Sequence, residues 1–252
     1  DSPREVRVYS NCEEVALRLN GKLVDRRRPD TGRIATHLKH APFTFKLAAF
    51  EPGKLEAVGY VNGREAATHE RRTPGKAGKL ALRFDLSGKP FAESRKDMVF
   101  CYADLLDDAG TLVPTNGVSV SLGAQGNIRL LGQNPIPSEA GISAALLEIN
   151  TASPACAVYA LALIHDADAT RILSAAASPN GDAVPACTIR YTTDGSKPSL
   201  DSAPYQSPLQ KTSRIRAALF VANKLVAAAD STESVASVKE DKADAATAAF
   251  GH

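Results

Sequence analysis

Val6-Arg-Val-Tyr-Ser-Asn-Cys-Glu-Glu-Val-Ala-Leu-Arg-Leu-Asn-Gly-Lys-Leu-Val24 shows how this chain builds structure. Two β-runs meet at Asn20-Gly21, residues that accept the positive φ of a type I′ turn. Val15, Leu17 and Leu19 alternate with Ala16, Arg18 and Asn20, so one face of the hairpin is buried. A two-residue turn sets Leu19 opposite Lys22 and Leu17 opposite Val24.

Working outward, Phe43, Phe45 and Leu47 alternate with Thr44 and Lys46, and Glu51-Pro52-Gly53 supplies a turn. Lys54 to Val61 then turns at Asn62-Gly63 into Arg64 to Thr68, repeating the logic of the first hairpin. Arg71 to Lys79 has no apolar periodicity and reads as a linker. Beyond it come strands at Leu80–Phe84, from Met98 to a polar turn near Gly110, and at Val118–Leu122, Gly126–Leu131 and Val158–Leu163. Thr188 to Pro198 opens a third strand system with Asp194-Gly195 as its turn. The fold class expected is all-β: tandem immunoglobulin-like antiparallel β-sandwiches at 1–75, 79–164 and 172–229, with a polar tail at 230–252. Only that tail and Ala167 to Ala177 have a composition that suits a helix. The tail's apolar residues, Val235, Val238 and Phe250, form no continuous stripe.

Thirty basic and 28 acidic side chains among 252 residues give a net charge of +2, leaving no global field to draw in nucleic acid or an anionic membrane. No apolar run approaches the roughly 18 residues of a membrane-spanning helix. Arg26-Arg27-Arg28, before Pro29-Asp30-Thr31-Gly32, reads as a solvated loop rather than a phosphate site. The four cysteines lack zinc spacing and are expected mostly as buried thiols. Cys101 and Cys156, 55 residues apart, are the one pair that could link facing sheets.

These stretches carry a resemblance. "VYSNCEEVALRLNGK" (8–22) and "FEPGKLEAVGYVNGREAATHERRTPG" (50–75) resemble the sandwich module that follows the catalytic barrel in bacterial family 2 glycoside hydrolases of the β-galactosidase type. "DLLDDAGTLVPTNGVSVSL" (104–122) is similar to the invasin-like immunoglobulin module placed next in those enzymes. It departs from that pattern after Leu131, where the usual glycine-rich stretch shrinks to Gly132–Pro137. "IRYTTDGSKPS" (189–199), "APYQSPL" (203–209) and "SRIRAALFVANKLV" (213–226) resemble the C-terminal sandwich of chitobiases and β-hexosaminidases, with Asn223 where that family usually has Gly. The resemblance implies the barrel-less part of such an enzyme, with the catalytic glutamates on the missing barrel and a periplasmic or extracellular location.

Nothing in the sequence nominates chemistry of its own. Glycoside hydrolysis needs two carboxyl groups roughly 5 to 9.5 Å apart on a rigid scaffold. The acids here fall in turns (Asp107, Asp108, Asp194, Asp201), on strand faces (Glu14, Glu56, Asp104) or in the tail (Glu240, Asp241). His37 and His40 lack a third metal ligand, Asp166 and Asp168 lack the Gly and Glu of a calcium loop, and Ser10, Ser143 and Ser174 lack a nucleophile context. No cofactor or metal is expected. Two functional classes compete: a structural or oligomerisation scaffold, partnered by the barrel of the parent chain and a second protomer, and a carbohydrate-binding module for a galactose-containing polysaccharide. An adhesin module is a third. Sugar binding needs exposed aromatic rings. With no Trp present, Tyr102, in opposite phase to Cys101, Ala103 and Leu105, and Tyr205, in a proline-flanked loop, are the candidate carbohydrate-binding residues. Tyr191 shares a face with Ile189 and is expected in the core.

Overall fold

The structure, a computed structural model, describes residues 4–88, 96–150, 156–167, 169–211 and 214–231. The expected tail lies almost wholly outside them, as does Asp168. All regular structure described is antiparallel strand, apart from a single 3₁₀ turn at Ala35–His37. The all-β expectation therefore holds. The chain divides into two compact units, Asp1–Pro74 and Gly75–His252.

In the first unit β1 (Glu5–Val8) pairs with β4 (Phe43–Lys46), and this two-stranded sheet faces a four-stranded one. The larger sheet is ordered β3 (Lys22–Arg27), β2 (Glu14–Leu19), β5 (Lys54–Val61), β6 (Arg64–Arg72). The alternation read from the sequence sets the core: Val15, Leu17, Phe43 and Phe45 are buried, with Val6, Val24, Leu55 and Ala57 packed on them. Both Asn-Gly turns form, with φ of 51° and 80° at Asn20 and Gly21 and 51° and 72° at Asn62 and Gly63. Asn20 also braces the neighbouring turn, donating from Nδ2 to Pro52 O at 3.1 Å and accepting from Lys54 N at 2.9 Å.

Three expectations are corrected here. Leu19 does pair with Lys22, but a bulge between Leu17 and Arg18 sets Leu17 opposite Asp25 rather than Val24. The extra residue keeps Val24 against the core while Leu23 faces solvent. The arginine run is not a loop: Arg26 and Arg27 end β3, and their heads are held by Glu14 at 2.7 Å and Asp25 at 2.7 Å. Arg26 also lies 4.1 Å over the Tyr60 ring, and Arg28 reaches Glu14 at 3.2 Å. β6 continues past Thr68 to Arg72, because β5 offers it a partner of matching length as far as Lys54.

The second unit stacks three sheets. The first is ordered β10 (Ile128–Leu131), β12 (Ile142–Asn150), β8 (Lys96–Leu106), β7 (Lys79–Asp85). The central sheet is ordered β11 (Ile136–Pro137), β9 (Ser119–Gln125), β13 (Ala157–His165), β14 (Ala169–Ala177), β17 (Leu209–Gln210). The third is ordered β16 (Ala203–Pro204), β15 (Cys187–Thr192), β18 (Arg216–Val221), β19 (Lys224–Asp230).

β13 explains the stack, because every residue from Ala157 to Ile164 is buried. Side chains alternate across a strand. Val158, Ala160, Ala162 and Ile164 therefore pack with the first sheet, and Ala157, Tyr159, Leu161 and Leu163 with the third. Two cores share one sheet. The boundary expected between 164 and 172 falls on the β13–β14 hairpin inside that shared sheet.

Of Ala167 to Ala177, read as the internal stretch suited to a helix, Ala169–Ala177 is strand β14. Thr170, Ile172 and Leu173 are buried there, and tertiary packing overrides alanine's helical preference. Asp166, weighed as the start of a calcium loop, pairs with Arg171 at 3.2 Å across this hairpin. Asn223 takes a positive φ of 62° in the β18–β19 turn, as expected of a residue replacing glycine. All four cysteines are free thiols, so Cys101 and Cys156 share one core without a bond between them.

The Asp-x-x-Gly turn forms around Asp107, whose carboxylate accepts from Gly75 N at 2.8 Å and Thr111 N at 2.7 Å. These backbone donors, Gly75 first, hold its carboxyl below the usual value of 3.8. A depressed folded-state pKa gives stability that is present above the unfolded value and lost as pH falls through the folded one. Asp107→Asn is therefore expected to lower the urea midpoint at about pH 6, with the gap to wild type closing below about pH 3.8. A gap independent of pH would refute this account.

Candidate functional site

Tyr102 lies on β8, whose alternation divides it cleanly. Val99, Cys101, Ala103 and Leu105 point inward and are fully buried, while Met98, Phe100, Tyr102 and Asp104 form the opposite row. That row faces outward from the second unit's first sheet, and Met98 and Phe100 are about half exposed. Phe100 and Tyr102, two residues apart on one face, stack with centroids 6.1 Å apart and planes 25° apart. Arg83, the cross-strand partner of Tyr102 on β7, lays its guanidinium 4.0 Å from the Tyr102 ring centroid. Its Nε also donates to Asp104 Oδ2 at 2.7 Å. On β12, beside Met98, Glu148 is held by Arg129 at 3.0 Å. The result is a stacked aromatic pair edged by charge.

Its chemistry is that of contact. Asp104 and Glu148 are each tied to an arginine, so neither is presented as a free acid or nucleophile. The other oxygen of Asp104 is buried with no hydrogen-bond partner. Under the row, burial pushes the Cys101 thiol up to about 12, so it stays protonated and unreactive at neutral pH.

Tyr205 belongs elsewhere. Its hydroxyl accepts from Ile172 N at 3.1 Å, and its ring meets Tyr191 edge-on at 6.3 Å. The ring packs on the core between the central and third sheets, where Ile189 and Tyr191 also lie as expected. The reason is a backbone requirement: β17 pairs only with Ala169 and Thr170 of β14, and the tyrosine hydroxyl serves the next outward amide. The structure thus does not bring the two candidate tyrosines together.

The sequence reading missed Phe100, Arg83 and the whole of β12. Phe100 was signalled by its two-residue spacing from Tyr102, and β12 by the buried alternation of Ser143, Ala145, Leu147 and Ile149. Arg83 is a cross-strand neighbour with no local signal. Of the serines, Ser10 Oγ accepts from Cys12 N at 3.1 Å and Ser143 is fully buried. Among the described residues, no three His, Cys, Asp or Glu side chains gather as a metal site, and no helix is long and apolar enough to cross a membrane.

Fold and surface together define antiparallel β-sandwich modules, one of which presents an outward-facing aromatic pair. Comparison with known proteins gives those modules a family context. Residues 1–67 match the family described as Domain of unknown function (DUF4982), and residues 173–229 match the chitobiase/beta-hexosaminidase C-terminal domain. A β-galactosidase of Thermoanaerobacter pseudethanolicus is 32% identical over 143 residues, covering 53% of this chain and 19% of that protein. The β-galactosidase BoGH2A of Bacteroides ovatus is 30% identical over 134 residues, covering 52% of this chain and 15% of that protein. This chain therefore spans less than a fifth of these curated relatives. A glycosyl hydrolase family 2 member from Bacteroides cellulosilyticus shares the fold, with a TM-score of 0.50 at 18% identity over 68% of this chain and 23% of that one. The resemblance read from the sequence and the comparisons agree on the chitobiase/beta-hexosaminidase C-terminal domain at 173–229 and on similarity to β-galactosidases.

Proposed function

We propose that the chain is a non-catalytic accessory region of a family 2 glycoside hydrolase of the β-galactosidase type, and that its first unit is a scaffold docking on the parent's catalytic barrel. One observation carries the docking role. Of eleven large apolar side chains exposed among the described residues, six lie in the first unit: Tyr9, Leu23, Ile34, Leu38, Phe50 and Val61. Isolated exposed apolar residues need no explanation, but such a concentration in so small a sandwich marks a contact surface. A second protomer is the other partner that this surface suits, and a periplasmic or extracellular location belongs to the same reading. In the parent enzyme, deleting this region is expected to lower the thermal midpoint of what remains. Ile34→Asp combined with Phe50→Asp reproduces part of that loss. An unchanged midpoint in both, or hydrolysis of a chromogenic β-galactoside by residues 1–252 alone, would overturn the proposal.

The stacked Phe100–Tyr102 pair favours a second role, carbohydrate binding by the second unit. The stacked rings offer apolar surface to the C–H groups of a pyranose, with Arg83 supplying a polar edge. Retention on a galactan affinity gel is expected, weakened roughly two- to tenfold by Phe100→Ala or Tyr102→Ala. Tyr205→Ala, which removes a core contact, should lower stability instead. No retention on any glycan gel would remove this role and leave the scaffold standing.

A further inference from the structure

The first unit is an incomplete sandwich. Two strands, β1 and β4, face four, and β1 has only β4 as a hydrogen-bonded neighbour among the described strands. The phase of that pairing is fixed by the bond from Leu47 N to Arg4 O at 2.7 Å. In an antiparallel ladder alternate residues bond to the partner, so the amide and carbonyl groups of Glu5 and Arg7 point to the free edge. Such an edge is a template for another strand.

A groove runs beside it. Two adjoining cavities of about 390 Å³ each share Val6, Leu55 and Arg71, and their floor is Leu55 and Ala57, residues of the larger sheet that the two-stranded sheet leaves half-buried, with buried Leu17 beside Ala57 in one of them. The far wall is β6, whose His69 and Arg71 stand opposite Ala57 and Leu55 and are exposed. Arg7 and Arg72 also line the groove, with Glu51 at one end. Arg7 is neutralised by Glu5 at 2.7 Å and Arg72 by Glu70 at 3.5 Å, whereas Arg71 makes no ion pair among the described residues.

The two open edges differ. β6 carries a charged or polar side chain at seven of nine positions, the blunting expected of an edge left in water. β1 instead lays Val6 and Val8 over an apolar floor while offering backbone groups sideways.

We infer that the free edge of β1 is a docking site for an extended acidic peptide of a protein partner, which adds a strand to the two-stranded sheet. The backbone of the guest exchanges bonds with Glu5 and Arg7. Its apolar side chains cover Leu55 and Ala57, and its carboxylates meet Arg71 and His69. Donors and acceptors repeating at about 6.8 Å along the edge match a polypeptide strand. The inference does not rest on the chain's place in a glycoside hydrolase.

The test is fluorescence anisotropy of a fluorescein-labelled peptide of alternating glutamate and valine, titrated with the full 252-residue chain. Saturable binding is expected, with none for the lysine–valine counterpart. Arg7→Pro removes an amide that the β4 ladder does not use, so the chain stays folded while affinity falls about tenfold or more. Arg71→Glu on exposed β6 weakens binding about fivefold or more. The amide resonances of Glu5 and Arg7 should shift during the titration, a readout that needs no variant. Unchanged binding by Arg7→Pro, equal binding of the lysine peptide, absence of saturable binding, or a wild-type dimer that Arg7→Pro dissociates would each overturn the inference.

Discussion

Cut after Ser178, the segment 75–178 is expected to lose its fold, although it retains the whole first sheet and all of the central sheet except β17. The central sheet would then present Tyr159, Leu161, Leu163 and Ile172 to water, residues that the third sheet now covers. Each large apolar side chain moved from core to solvent costs about 1.5–3 kcal/mol, so four together forfeit about 6–12 kcal/mol. That is comparable with the whole stability of a typical domain, about 5–15 kcal/mol. The edge bonds from Gln210 and Leu209 to β14 would go as well. Aggregation, or strong binding of a hydrophobic dye by the truncated segment, is the outcome looked for. A soluble monomer with the urea midpoint of the intact unit would show that the central sheet does not depend on its second core.

Gly123→Ala should be among the most damaging single methyls in the second unit. A Cβ at Gly123 on β9 would lie 2.1 Å from the carbonyl oxygen of Val226 and 2.5 Å from its Cγ1. Backbone of β19 fills the space, so no side-chain rotation relieves the clash and the layers must part. Overpacking costs about 1–3 kcal/mol in most cores and more where the backbone has to move, so a loss of about 3 kcal/mol or greater is expected in urea denaturation. Gly32→Ala is the matched control, because a Cβ there meets nothing within 4 Å and its unit should unfold almost as in the wild type. Equal, small effects at the two glycines would mean that the layers are looser than their separation implies.

What the sequence made legible follows from where each structural decision is taken. Asn20-Gly21 and Asn62-Gly63 determine their turns locally, and the half-buried strands around them alternate as a strand with one wet face must. β8 was readable for the same reason, and with it the outward placement of Tyr102. β14 was not, because a strand covered on both faces loses its alternation and, when rich in alanine, has a composition that also suits a helix. The bulge at Leu17 depends on a contest between core packing of Val24 and pairing register, which no short window contains. Tyr205 looked exposed between prolines, yet its place is set by the amide of Ile172, 33 residues away. In the candidate site the ring pair was encoded by spacing, whereas Arg83 depends on how β7 pairs with β8.

The four thiols give these layers a chemical clock. Cys12 is buried in the first unit, Cys101 and Cys156 lie between the first and central sheets, and Cys187 packs beside the third. Desolvation by burial raises Cys101 and Cys187 above the ordinary thiol value, which starves any alkylating reagent of thiolate while the sheets stay closed. Modification of the three buried thiols therefore waits for opening, while half-buried Cys187 reports on the third sheet as it stands. The order in which the buried positions become labelled reads out which sheet lifts first, resolved to single residues and without altering the sequence.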